Sequence, residues 1–211
     1  PIKTRLKGHN MKKHPIKKIS VCMLCFIMLA SVFMLSACSK DDSTNPFHEF
    51  ITDSQKLKLE QLAEAFAEGG YNFSSSTPIS FMDMEKFIYF YYNDKVIADE
   101  DSKLASLDEE TASDFVTATF GTGGNELHYN FGEIGGETRF YFDKESGNYM
   151  IMPSDSYALR SEVTSVEKKD GKLIANVEID GTDETSCIMY LEFSVKSDTI
   201  QVLACVRYDI S

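Results

Sequence analysis

The residues able to act as nucleophiles, proton carriers or metal ligands are few and scattered. Cys38 stands in "MLSACSKDD", residues 34–42, where an apolar run gives way at once to charge. Its thiol is a core side chain, half of a disulfide, or a sulfur with another use. Cys22 and Cys25 have the C-x-x-C spacing of redox sites; Cys187 and Cys205 lie far downstream. Beyond Cys38 the histidines are His48, in a polar stretch, and His128, in "ELHYNF". Neither a His pair so far apart nor any Cys/His spacing suits zinc. Carboxylates crowd "NDKVIADEDSK" (93–103) and "DGTDET" (180–185), without the Asp-x-Asp-x-Asp-Gly and distal Glu of a calcium loop. There is no G-x-S-x-G and no Walker loop. The glycines of "GTGGNELHYNFGEIGG" (121–136) precede strands, so they lack the helix N-terminus that holds a phosphate. No catalytic set, metal or cofactor is expected.

The element that positions Cys38 is an export signal. From Met11, the lysines at 12, 13, 17 and 18 form a basic region, and Val21–Leu35 an apolar core. Residues 1–10 have no place in such a signal and read as upstream translation. The tetrapeptide Leu35-Ser36-Ala37-Cys38 resembles the lipobox of bacterial lipoproteins. That resemblance implies cleavage before Cys38, a diacylglycerol on its sulfur, and often an acyl group on the freed amine. Two or three chains give stable anchoring where one does not. Cys22 and Cys25 would leave with the signal peptide, 11–37. The implied location is the extracytoplasmic side of a cell membrane, with membrane lipid as the first partner.

Charge divides at the same place. The whole chain carries −12, and residues 1–37 contribute seven positive charges and no negative ones, which leaves −19 on residues 38–211. Such a surface repels nucleic acid and anionic headgroups, so no nucleic-acid partner is expected. With 15 Phe and 10 Tyr, the acidic part has the means to build a core.

Residues 38–51 read as a lipidated tether and 52–211 as a single domain. The spacing predicts a helix after Asp53 or Ser54, with Leu59, Leu62, Ala63 and Phe66 as its stripe and Gly69-Gly70 as its stop. A second helix is expected over 81–92 behind Ser80 and Asp83, with strand as the competitor because of its aromatic residues. It is apolar on two sides, so it is buried twice or lines a cavity. A third is expected from a Ser106/Glu109 capping box to Gly121. From residue 125 the period becomes two. His128 then falls on the solvent parity of a strand. Asp170-Gly171 signals a hairpin, and Val163 and Val166 fall on opposite parities, which predicts a bulge.

A turn at Ser197-Asp198 pairs Val195 with Ile200, Phe193 with Val202 and Leu191 with Ala204. Cys187 then faces the core and Cys205 the opposite face, so two free thiols are expected.

Helices followed by strands read as α+β: N-terminal helices on one curved antiparallel sheet of about six or seven strands. This order, over 52–211, resembles the NTF2-like or cystatin-like group, in which a bent sheet wraps helices into a cone. The resemblance implies a pocket, which Tyr89, Tyr91 and Tyr92 would line. The expected function is a non-catalytic binding or envelope-accessory module for a small molecule or envelope protein. One alternative is an NTF2-like enzyme with a carboxylate beside a tyrosine in the cone. The other is a structural or inhibitory envelope protein acting through a sheet edge.

Overall fold

A computed structural model describes residues 45–128, 138–154, 159–181 and 186–209. Cys38 and the signal segment lie outside the described residues. So do residues 129–131 of "ELHYNF". The folded unit begins at Asn45, not at residue 52. Asn45 is buried; its side-chain amide donates to the Ile51 carbonyl at 2.8 Å and its carbonyl accepts from Phe47 N–H at 2.9 Å. Ile51 is buried too. Half of the expected tether is therefore body.

The helices follow from caps and apolar stripes. Helix α1, Asp53–Glu68, is capped by Thr52, one residue ahead of the expected caps. Thr52 accepts from Gln55 N–H at 3.2 Å, and the Gln55 side chain accepts from Thr52 N–H at 2.8 Å. Leu59, Leu62, Ala63 and Phe66 form the buried stripe as predicted. Helix α2, Phe81–Tyr92, is a helix and not a strand, and Ser80 caps it. Helix α3 is Glu109–Phe120, capped by Asp108 and not by Ser106, which lies in strand β1, Ala105–Asp108. Gly121 ends α3 at φ +77, a left-handed backbone that glycine adopts without cost.

The other strands are β2 (Phe140–Asp143), β3 (Asn148–Ile151), β4 (Arg160–Lys169), β5 (Lys172–Asp180), β6 (Cys187–Lys196) and β7 (Thr199–Asp209). They form two antiparallel sheets, not the single curved sheet expected. One has the order β1-β3-β2 and the other β4-β5-β6-β7. The physical reason is that β3 has no free edge. Ile151 pairs with Ala105 on one side and with Phe140 on the other, so β4, the next strand in the chain, cannot pair with β3 and lies instead in a second sheet. The single-sheet cone of the NTF2-like resemblance is absent with it. The α+β class itself holds.

Within the larger sheet the predicted hairpin turn is present, with Asp170 and Gly171 both at positive φ. The predicted bulge appears as a register shift between Val163 and Ser165. A second bulge was not legible. Val195 faces Ile200 and Phe193 faces Val202, but Leu191 then faces Cys205, because Leu203 is an extra residue in β7. The parity of β7 flips there. Cys205 is fully buried, and Tyr208, which shares the parity of Ile200 and Val202, is 57 % exposed. Both thiols are free, though not for the reason expected. Cys187 lies opposite Asp209 and Cys205 opposite Leu191, four positions away along the ladder and beyond the span of a disulfide. Burial pushes both thiols up from their ordinary range.

Helix α1 lies across the four-stranded sheet, and α2 packs against α1 and α3. The core between them is aromatic. Phe66 of α1 stacks on Phe87 of α2 at 4.3 Å, and Phe120 of α3 meets both edge-on. Each such pair adds about 0.5–1.5 kcal/mol beyond its buried area. Strand β7 is tied back to the start of the fold. Phe73 and Cys205 exchange two backbone hydrogen bonds, and Arg207 Nη1 donates to Ala67 O near the end of α1 at 3.1 Å. Gln55 Nε2, at the start of α1, donates to Ser197 O at 3.1 Å.

Candidate functional site

The most unusual chemistry in the fold is a charged side chain inside α2. Glu85 has no solvent exposure. Its helical spacing places it one turn before Tyr89, on the flank that meets the three-stranded sheet, where Tyr89 approaches the Phe140 ring at 6.2 Å. Tyr149 Oη, from β3, donates to Glu85 Oε1 at 2.8 Å. The backbone N–H of His128 donates to the same oxygen at 2.9 Å. Two donors on one oxygen suit an ionised carboxylate, which needs such bonds to be tolerated away from water. Burial first, then the Glu85 charge and the bond to it, pushes the Tyr149 phenol well above its ordinary value. Tyr149 therefore remains a donor.

His128 is placed by this bond and not by a strand. It follows a 3₁₀ turn, Gly124–Glu126, and sits at φ +95. Its ring packs on Phe142 with centroids 4.4 Å apart, and its Nε2 lies 2.6 Å from Glu109 Oε1 at the start of α3. The site is thus layered. An exposed His128–Glu109 dyad lies outside, Phe142 and Tyr149 lie between, and Glu85 is sealed within. Glu85 can hold its loop in place but meets no solvent.

Of the three predicted tyrosines, Tyr91 and Tyr92 meet edge-on with centroids 5.1 Å apart, and Tyr89 stands away from both. Tyr89 Oη meets Ser154 Oγ at 3.0 Å. Tyr91 turns the other way, accepting from Lys58 and donating to Gln61 Oε1 at 3.2 Å. Tyr92 is half-buried, edge-on to Phe115 at 5.2 Å. None of them lines the two cavities formed by α1 with the β4–β5 hairpin and by residues around Gly69–Phe73. The larger, about 670 Å³, lies between α1 and the β4–β5 hairpin and is lined by Lys56, Glu60, Arg160, Glu162, Glu178 and Asp180 among others. Glu162 and Glu178 stand opposite each other on the ladder, as do Arg160 and Asp180. The smaller, about 260 Å³, lies around Gly69–Phe73 with Asp83 and Lys86 at its wall. Among the described residues no three His, Cys, Asp or Glu side chains are arranged to hold a metal ion. The acidic run 93–103 is partly turn chemistry. The Asp99 carboxylate accepts from Ser102 N–H and Oγ and from Asp101 N–H, which holds it below the usual carboxylate range.

No family, curated protein or solved structure matches this chain. The site must be read from its own geometry. Sequence reasoning missed Glu85, although a signal was present. It is the acidic residue four positions before Tyr89, on the second apolar flank of a helix apolar on two sides. His128 was singled out but given the wrong element.

Proposed function

We propose that this protein is a lipid-anchored extracytoplasmic lipoprotein, held to a membrane through acylated Cys38, whose acidic body binds a small molecule or an envelope protein and does no catalysis. The observation that carries this reading is Leu35-Ser36-Ala37-Cys38, between a basic, apolar leader and a body that starts at Asn45. Residues 39–44 separate Cys38 from that body. Among the described residues no helix is long and apolar enough to cross a membrane. The test is mass spectrometry of the protein produced in a bacterial host. The expected product begins at Cys38 and carries a diacylglyceryl group on sulfur, and Cys38→Ala abolishes both. An unmodified Cys38 in the mature protein overturns the proposal.

One observation favours the alternative of an enzyme: a carboxylate, Glu85, is buried beside a tyrosine, Tyr149. Against it, neither residue lines a cavity among those described. Soaking the protein with small carbonyl and glycoside substrates should give no turnover that Glu85→Gln removes.

A further inference from the structure

A second cluster sits where α1, α2 and the turn after α2 meet. Lys58, on α1, holds its ammonium over the Tyr91 ring, 4.0 Å from the centroid, with the Phe115 ring 5.1 Å away. Lys95 holds a second ammonium 4.5 Å from the same Tyr91 centroid. Two like charges therefore share one aromatic ring. Asp94 pairs with Lys95 at 2.9 Å, whereas Lys58 has no ion pair among the described residues. Lys58 donates to Tyr91 Oη, and Tyr91 passes its own proton toward Gln61. Burial, and then the Lys95 charge, bring the Lys58 ammonium down to about 8. Tyr91 is pushed up to about 12 by burial, and then by Tyr92 and Asp94, so it stays a neutral phenol.

From this arrangement we infer that Lys58 is a carbonyl-reactive amine, a site at which an aldehyde is captured as an imine. A lysine that is half-buried, unpaired by any carboxylate and set beside a second ammonium is the arrangement that frees an amine lone pair near neutral pH. The neutral Nζ adds to the carbonyl carbon while one nitrogen proton moves to the carbonyl oxygen, which gives a carbinolamine. Loss of that oxygen with the second nitrogen proton, as water, leaves a C=N bond. One aldehyde is consumed, one water is released, and no electrons change hands. Amide formation from a carboxylic acid would need an activated donor, and an aldehyde needs none.

The inference does not depend on the lipid anchor. Its test uses the full chain in detergent at about pH 7.5, with glycolaldehyde as the probe and cyanoborohydride to reduce any imine to a stable amine, followed by peptide mass mapping. Lys58 is expected to be modified roughly tenfold faster than the exposed lysines 103, 144 and 168. Lys95→Gln, a change at an exposed position, is expected to slow Lys58 severalfold, and Lys103→Gln to leave it unchanged. Labelling spread evenly over the lysines, or a Lys58 rate indifferent to Lys95→Gln, overturns the inference.

Discussion

Glu85 shows how one residue can set the conformation of a distant loop. Its Oε1 accepts the backbone of His128, which holds that residue at a positive φ that a histidine seldom adopts. Tyr149 supplies the second donor from β3. Tyr149→Phe removes that donor from a buried carboxylate and is expected to cost about 1–3 kcal/mol in urea unfolding. Glu85→Gln should cost a similar amount. The two changes should be coupled in a double-mutant cycle by more than about 0.5 kcal/mol, because both act on one hydrogen bond. Additive effects would mean that the bond contributes little.

Among the elements, β7 decides the most. Its bulge at Leu203 turns Cys205 into the core, where its thiol lies 3.8 Å from Tyr71 O. Both Cys187 and Cys205 should therefore resist iodoacetamide in the native protein and react fully in denaturant, as peptide mapping would show. Deleting Leu203 removes the extra residue and should expose position 205 to alkylation without denaturant, if the rest of the ladder keeps its register. This bulge was silent in the sequence for a physical reason. Residues 202–206 are all nonpolar, so either parity satisfies the alternation. The bulge in β4 was legible because Val163 and Val166 stand on opposite parities among polar neighbours. The helices were legible from their stripes and glycine stops. The start of α2 at Ser80 was read correctly, and those of α1 and α3 were misplaced by one or two residues, because Thr52, Ser54, Ser106 and Asp108 are all good caps and only pairing chooses among them. Ser106 was lost to β1, whose partner β3 lies beyond α3, a pairing that no local pattern reveals.

For the molecule as a whole, two quantities matter: an acidic excess and the partition of strands into two sheets. The partition was not legible, since it depends on β1 occupying an edge that β4 would otherwise take. The charge was legible by counting. A net −19 on residues 38–211 repels itself more in the compact state than in the unfolded chain. Screening should relieve this, so raising sodium chloride from ~20 to ~300 mM is expected to raise Tm by about 2–5 °C in a thermal scan. A fall in Tm over that range would mean that ion pairs such as Lys172–Glu192 outweigh the repulsion. As for the site, Tyr91 was named for a cone that the fold does not contain. It instead shares its ring with two lysines that no spacing rule would have joined.

The ties between β7 and α1 bear on when this chain can fold. Gln55 to Ser197, Cys205 to Tyr71 and Arg207 to Ala67 each join residues more than 130 positions apart. The last turn of α1 receives its guanidinium donor only after the ribosome has released nearly every residue of the body. Early segments therefore wait, uncommitted, for the final strand, and relaxation to the native state is expected to be slow for a chain of this size. Such wiring leaves a nascent polypeptide threadable until β7 has been made.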